Sequence, residues 1–130
     1  MALMAFREPN QVKWVGVRPA HRGTQIVKEG YADGALVIVW TVTVGKTGFL
    51  ATVILNAAGL PGVGTLYVRN AADVYQYSIL WGGILTAVGS VMPASASFNP
   101  PLEIPAEWDV VMISSAVGFA CAGFVFGWEE

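Results

Sequence analysis

Three long stretches without a charged residue constrain this chain most: Thr47–Val68, Val74–Leu102 and Val110–Trp128. Each is long enough to span a bilayer as a helix by the about 20-residue criterion. Their contents rule that out. The first carries Asn56, Gly59, Pro61, Gly62 and Gly64, and the second carries Gly82, Gly83, Gly89, Pro93, Asn99, Pro100 and Pro101. Such residues break helices and mark turns. Between them Val, Ile, Thr, Phe, Tyr and Trp dominate, which are strand formers. The third stretch lies between Asp109 and Glu129–Glu130, and no Lys or Arg follows Arg69. The basic flank of a spanning helix is therefore missing. The reading is a sheet protein with no membrane insertion. The start, MALMAFREPN, lacks a basic segment followed by a long apolar run and does not read as a signal peptide.

Alternation and turn chemistry divide the chain. Residues 1–12 have no period and read as an N-terminal arm. Residues 13–130 read as a single β-sandwich domain. Lys13–Arg18 alternates and stops at Pro19, Pro19–Gly23 is a loop, and Thr24–Lys28 alternates again. Glu29–Gly34 reads as a turn. Ala35–Val44 is a ten-residue β-branched run, followed by a tight connection at Gly45–Gly48 and a strand over Phe49–Asn56. Ala57–Gly64 reads as a loop. Thr65–Arg69 and Val74–Leu80 flank the turn Asn70–Asp73, whose Asn and Asp suit a hairpin. Trp81–Met92 fits either a loop or a strand. Ala94–Phe98, Leu102–Ile104, Trp108–Ser114 and Phe119–Trp128 complete the set. About eight short antiparallel strands, spaced roughly 8–12 residues apart with no helical period, predict an all-β sandwich or jelly roll.

Hydrophobic residues make up 55% of the chain and charged residues 12%. A soluble domain carries about 25% charged residues, and a fold of this size keeps much of its surface wet. Strands that are apolar at both parities, such as Ala35–Trp40 and Phe119–Trp128, need cover on both faces. One cover is the core and the other is expected to be a second subunit. Val37, Val39, Tyr75, Tyr77, Phe124, Phe126 and Trp128 are the expected interface residues. All seven basic residues lie within residues 1–69, beside three acids, while residues 70–130 hold six acids and no base. That asymmetry favours contact between a basic arm and an acidic protein surface. Phe6, Arg7, Lys13, Trp14, Arg18 and Arg22 are its expected contact residues. Their density is too low for a nucleic-acid site.

Reactive groups are few. Gly45–Lys46–Thr47 resembles the end of a phosphate-binding loop, but Trp40 occupies the position of the required first glycine. Gly59–Gly64 lacks the dinucleotide spacing. His21 is the single histidine and Cys121 the single cysteine. No disulfide within the chain and no metal constellation can be assembled from them. Cys121, mid-strand among Ala and Gly, reads as a buried inert thiol. Ser114 and Ser115 have no base to match them. Glu103, Glu107 and Asp109 cluster near a turn and read as a solvated rim rather than as paired acids or a Ca²⁺ site. The expectation is a non-catalytic protein without a cofactor.

Val42–Leu50 (VTVGKTGFL), Tyr67–Asn70 (YVRN), Phe98–Ala106 (FNPPLEIPA) and the closing Phe126–Glu130 form a pattern that resembles small jelly-roll virion proteins of tailed phages. These are capsid decoration or cement proteins and the head modules of fibres. The resemblance covers about two-thirds of the chain. It implies a homotrimer built through apolar sheet faces, made in the host cytoplasm and placed on the capsid surface. The N-terminal arm would reach the major capsid protein or another virion protein. The alternative it implies is a receptor- or glycan-binding fibre head, with Trp81, Trp108, Tyr75 and Tyr77 as the aromatic contacts. The architecture is also similar to that of tumour-necrosis-factor-like trimers.

Overall fold

The computed structural model describes residues 23–84 and 92–130. They form eight strands: β1 (Thr24–Asp33), β2 (Leu36–Thr41), β3 (Gly48–Gly59), β4 (Gly62–Arg69), β5 (Tyr75–Ile84), β6 (Met92–Ile104), β7 (Asp109–Ser114) and β8 (Phe119–Glu129). Two four-stranded sheets result, one in the order β1-β8-β3-β6 and the other β2-β7-β4-β5. Every neighbouring pair is antiparallel. Strand 1 thus pairs with 8, 2 with 7, 3 with 6 and 4 with 5, while successive strands up to β4 alternate between sheets. That is the order of a jelly roll, a long antiparallel ribbon rolled into two sheets.

The core lies between the sheets. The first sheet contributes Leu50, Val53, Leu55, Ile104, Phe119, Cys121 and Val125. The second contributes Trp40, Leu66, Val68, Val110 and Met112. Strand β8 shows the cause in its sequence. Its odd positions from Phe119 to Glu129 are buried and its even positions are half-buried, as a period of two requires.

The elements differ from the sequence expectation at four places. The expected ten-residue strand Ala35–Val44 is a strand only over Leu36–Thr41, because Val42 leaves the ladder to pair its backbone with Glu107 and Trp108. Glu29–Asp33 extends β1 instead of turning, because pairing to Phe124 through Ala120 of β8 continues to the end of the strand. The turn is confined to Gly34 and Ala35. Ala57–Gly59 likewise stays in β3, paired to Cys121–Phe119, so the expected eight-residue loop shrinks to Leu60 and Pro61. Strand β6 runs through Asn99–Pro100–Pro101. It tolerates them because it is an edge strand and the register shifts there, with Leu102 opposite Leu50 and Ser97 opposite Thr52. The Asn70 turn stands as expected: Asn70 Oδ1 accepts from the Ala72 and Val74 amides at 2.8 and 3.1 Å. The expected strand Lys13–Arg18 lies outside the described residues.

Candidate assembly surfaces

Registers place the outward side chains in rows. On the first sheet Gln25, Trp128, Phe49 and Glu103 form one row, and Val27, Phe126, Thr52 and Ser97 the next. Glu29, Phe124, Ile54 and Ser95 follow, then Tyr31, Ala122, Asn56 and Pro93. The result is an aromatic ridge along β8 that ends in a hollow. Phe49 and Trp128 stack with ring centroids 5.3 Å apart and 14° between planes. Val27 and Tyr31, on the edge strand beside the ridge, are 62% and 64% exposed. At the far end small side chains leave a depression of about 180 Å³ lined by Tyr31, Asn56, Ala58, Ala120 and Ala122.

The outer face of the second sheet is also apolar. Leu36, Ile38, Val63, Ile113 and Trp81 lie on it and are exposed, Trp81 to 69%. Tyr67 and Tyr75 meet at 5.6 Å beside them. This field also carries Thr65 and Ser78 and is broken by a charged cluster. Asp109 accepts from the Thr41 hydroxyl at 2.6 Å, and from Arg69 Nε and an Arg69 terminal nitrogen at 3.2 and 3.1 Å. Arg69 also reaches Asp73 at 3.3 Å. The Arg69 and Asp109 side chains are only 13% and 9% exposed, so the pair is largely desolvated.

The expected interface residues separate. Phe124, Phe126 and Trp128 lie on the outer face of the first sheet. Tyr75 is exposed on the outer face of the second. Val39 does not face outward: it is 6% exposed within the chain's own core, and Val37 and Tyr77 pack against that core. The reason is the parity of β2: Val37 and Val39 face the core while Leu36 and Ile38 point out, and the irregularity between Ile38 and Trp40 brings Trp40 inward as well. Burial also pushes the Tyr77 hydroxyl up from its ordinary pKa. The expected arm residues Phe6, Arg7, Lys13, Trp14, Arg18 and Arg22, and also His21, lie outside the described residues.

The acidic groups take different places as well. Glu103 and Glu107 are exposed, whereas Asp109 is buried in the Arg69 cluster and is no solvated rim. Among the described residues, no three His, Cys, Asp or Glu side chains come together as a metal site. Ser114 is committed to structure: its hydroxyl donates to the Phe119 carbonyl at 2.6 Å and accepts from the Gly34 amide at 2.9 Å. Cys121 is buried, and its thiol is pushed up to about 11, first by burial and then by the nearby Asp33, against a hydrogen bond with Ser114. It is therefore protonated at neutral pH, which suits packing rather than nucleophilic attack.

Sequence reasoning expected cover on both faces of Ala35–Trp40 but assigned the outer one to Val37 and Val39 rather than to Leu36 and Ile38, and it did not single out Ile113, because these runs are apolar at both parities. It also missed Glu129. This carboxylate is 5% exposed and accepts from Trp40 Nε1 at 2.9 Å and the Thr43 amide at 3.2 Å. Its place at the C-terminal edge of an apolar strand reads as solvated until β8 is paired. Comparison of the sequence with protein-family models and with curated proteins gave no match.

Proposed function

We propose that this chain is a structural protein of a virus particle, a capsid decoration or cement protein that assembles with copies of itself as a trimer and sits on the shell. The observation that carries the self-association is the pair of apolar outer faces on one small jelly roll. Isolated exposed hydrophobics are ordinary, but contiguous apolar fields of this kind mark contact surfaces. The largely desolvated Arg69–Asp109 pair inside one of them suits a surface that loses water on assembly and needs a fixed register. The virion setting rests on the sequence resemblance together with the jelly-roll order of the sheets, and fold alone does not specify a role.

Sedimentation equilibrium of the full chain at micromolar concentration is expected to give the mass of three chains. A stable monomer overturns the proposal. Ile38→Asp is expected to weaken association by roughly a hundredfold, since a carboxylate buried without a partner costs about 3 kcal/mol. Co-sedimentation with assembled shells tests the setting separately. A second reading, a glycan-binding fibre head, is favoured by the exposed Trp81 and the 58% exposed Tyr75 on β5. Aromatic faces of this kind stack on apolar ligand surfaces. Binding on a glycan array that is lost in Trp81→Ala would establish that reading instead.

A further inference from the structure

We infer that the outer face of the β2-β7-β4-β5 sheet alone carries self-association, and that Trp81 on its β5 edge seats on Leu36 and Ile113 of the neighbouring copy. The inference rests on the trimer proposed above and names the surface and the contact within it. Three observations carry it.

The first is what each outer face leaves uncovered. Leu36, Ile38, Val63, Tyr75, Trp81 and Ile113 are exposed on the second sheet. Among the described residues of the first sheet's outer face, only Val27 and Tyr31 are exposed large hydrophobics, and both lie on its edge strand. Its aromatic ridge is half-buried, with Phe49 stacked on Trp128. Covering the second face therefore takes more apolar surface out of water, which is the driving force of association.

The second is charge. Glu29, Asp33 and Glu103 are exposed at outward positions of the first sheet, and none of its described strand positions on that face is basic. A second copy laid there would set like charges against one another. On the second sheet Arg69 is joined to Asp109 and Asp73 at one end of the face. The two rows beyond, from Ile38 across to Ser78 and from Leu36 across to Trp81, hold no charge. A second copy covers these rows without leaving an ion unpaired.

The third is symmetry. Three copies around one axis join two different patches, because a patch that meets itself makes a twofold pair. The second face offers two such patches at its opposite edges. Leu36 and Trp81 end one row, with Ile113 and Thr65 between them. Three strand spacings, about 15 Å, separate the two ends. Trp81, 69% exposed, cannot reach Leu36 of its own chain at that distance. With the axis along the strands, rotation keeps each row at its own height. Trp81 of one copy then meets Leu36 and Ile113 of the next, as a large aromatic anchor on an aliphatic seat.

The test places the photo-crosslinking amino acid p-benzoylphenylalanine in the full chain at Trp81, at Leu36 and at Val27, one position at a time. The Leu36 probe leaves Trp81 native and reads the same contact from the other side. Val27 reads the first sheet. After irradiation, denaturing electrophoresis isolates the product of two-chain mass, and mass spectrometry identifies the linked peptides. Linkage from Trp81 to β2 or β7, and from Leu36 to β5, is expected, with at least fivefold less two-chain product from Val27. Linkage of Trp81 to β5 of the other copy is a twofold contact and overturns the seat. Linkage to the first sheet, an equal yield from Val27, or no two-chain product from either Trp81 or Leu36 overturns the choice of face. Links within one chain to residues 1–22 or 85–91 overturn it as well, since the chain then covers its own face. Trp81→Ala in the chain probed at Leu36 is expected to cut the two-chain product at least fivefold, and an unchanged yield overturns the role of Trp81. Sedimentation of the same proteins separates this contact from the reading it rests on. Three chains with the wrong linkage overturn the contact alone, whereas single chains overturn the trimer with it.

Discussion

Trp40→Ala is expected to lower unfolding free energy by about 3–5 kcal/mol, the range for removing a large buried aromatic. The residue is 2% exposed and is the largest fully buried side chain of the core. Its neighbours are shaped around it: a methyl group on Gly48 would come to 2.8 Å of the ring, so only glycine lets the indole lie there. Its ring nitrogen also donates to Glu129, which ties β8 to β2. Trp40→Phe separates the two losses, because it keeps most of the ring and drops the donor. About 2 kcal/mol is expected for that variant, read as a shift in urea midpoint at unchanged slope.

The same pair gives a pH dependence. Burial alone pushes the Glu129 carboxyl up, but hydrogen bonds from Thr43 and Trp40, with the charge of Lys46, outweigh it and hold the group below its ordinary value. A carboxyl whose folded pKa is depressed binds its proton more readily in the unfolded chain. Its stabilisation is present above the unfolded pKa, about 4.3, and is lost as pH falls through the folded one. Urea midpoints measured from neutral pH down through this window are expected to fall more steeply for the native chain than for Glu129→Gln. Equal slopes would show that Glu129 contributes nothing to acid sensitivity.

Arg69→Met is expected to cost about 3 kcal/mol, because it leaves Asp109 buried without its cation. The carboxylate then keeps only the Thr41 hydroxyl. Replacing both partners, Arg69→Met with Asp109→Leu, is expected to restore most of the loss, since no uncompensated buried charge remains. Thermal melts of the two single variants and the double variant measure this coupling. Strict additivity of the two losses would show that the pair is not a coupled unit. The double variant is also expected to assemble less selectively, because the charged mark on that face has gone.

The strand inventory was legible because alternation and turn residues agree along most of the chain. Asn70 and Asp73 announce their turn, and the Asn70 side chain makes it by capping two amides. The misread segments, Glu29–Asp33 and Ala57–Gly59, contain Gly and small residues that also suit loops. Long-range pairing to β8 kept them extended, and a local reading cannot include a partner some sixty to ninety positions away. The surfaces were only half legible. Two-faced apolarity shows in Ala35–Trp40 and Phe119–Trp128, but which residue takes which face does not. When both parities are apolar, period two carries no direction, and an irregularity such as that at Ile38–Trp40 reverses the assignment.

Composition and turn chemistry by themselves determined an all-β chain with more apolar surface than one core consumes, because strand formers and helix breakers are local properties. The tertiary structure alone decided the pairing of 1 with 8, 2 with 7 and 3 with 6, since those contacts close long loops and depend on the whole roll. It also decided that Val39 belongs to the core, that Phe126 and Ile38 look outward from opposite sheets, and that Arg69, Asp109 and Glu129 are buried with partners. Burial is a property of what packs above a residue, and no residue carries that information in its own stretch of sequence.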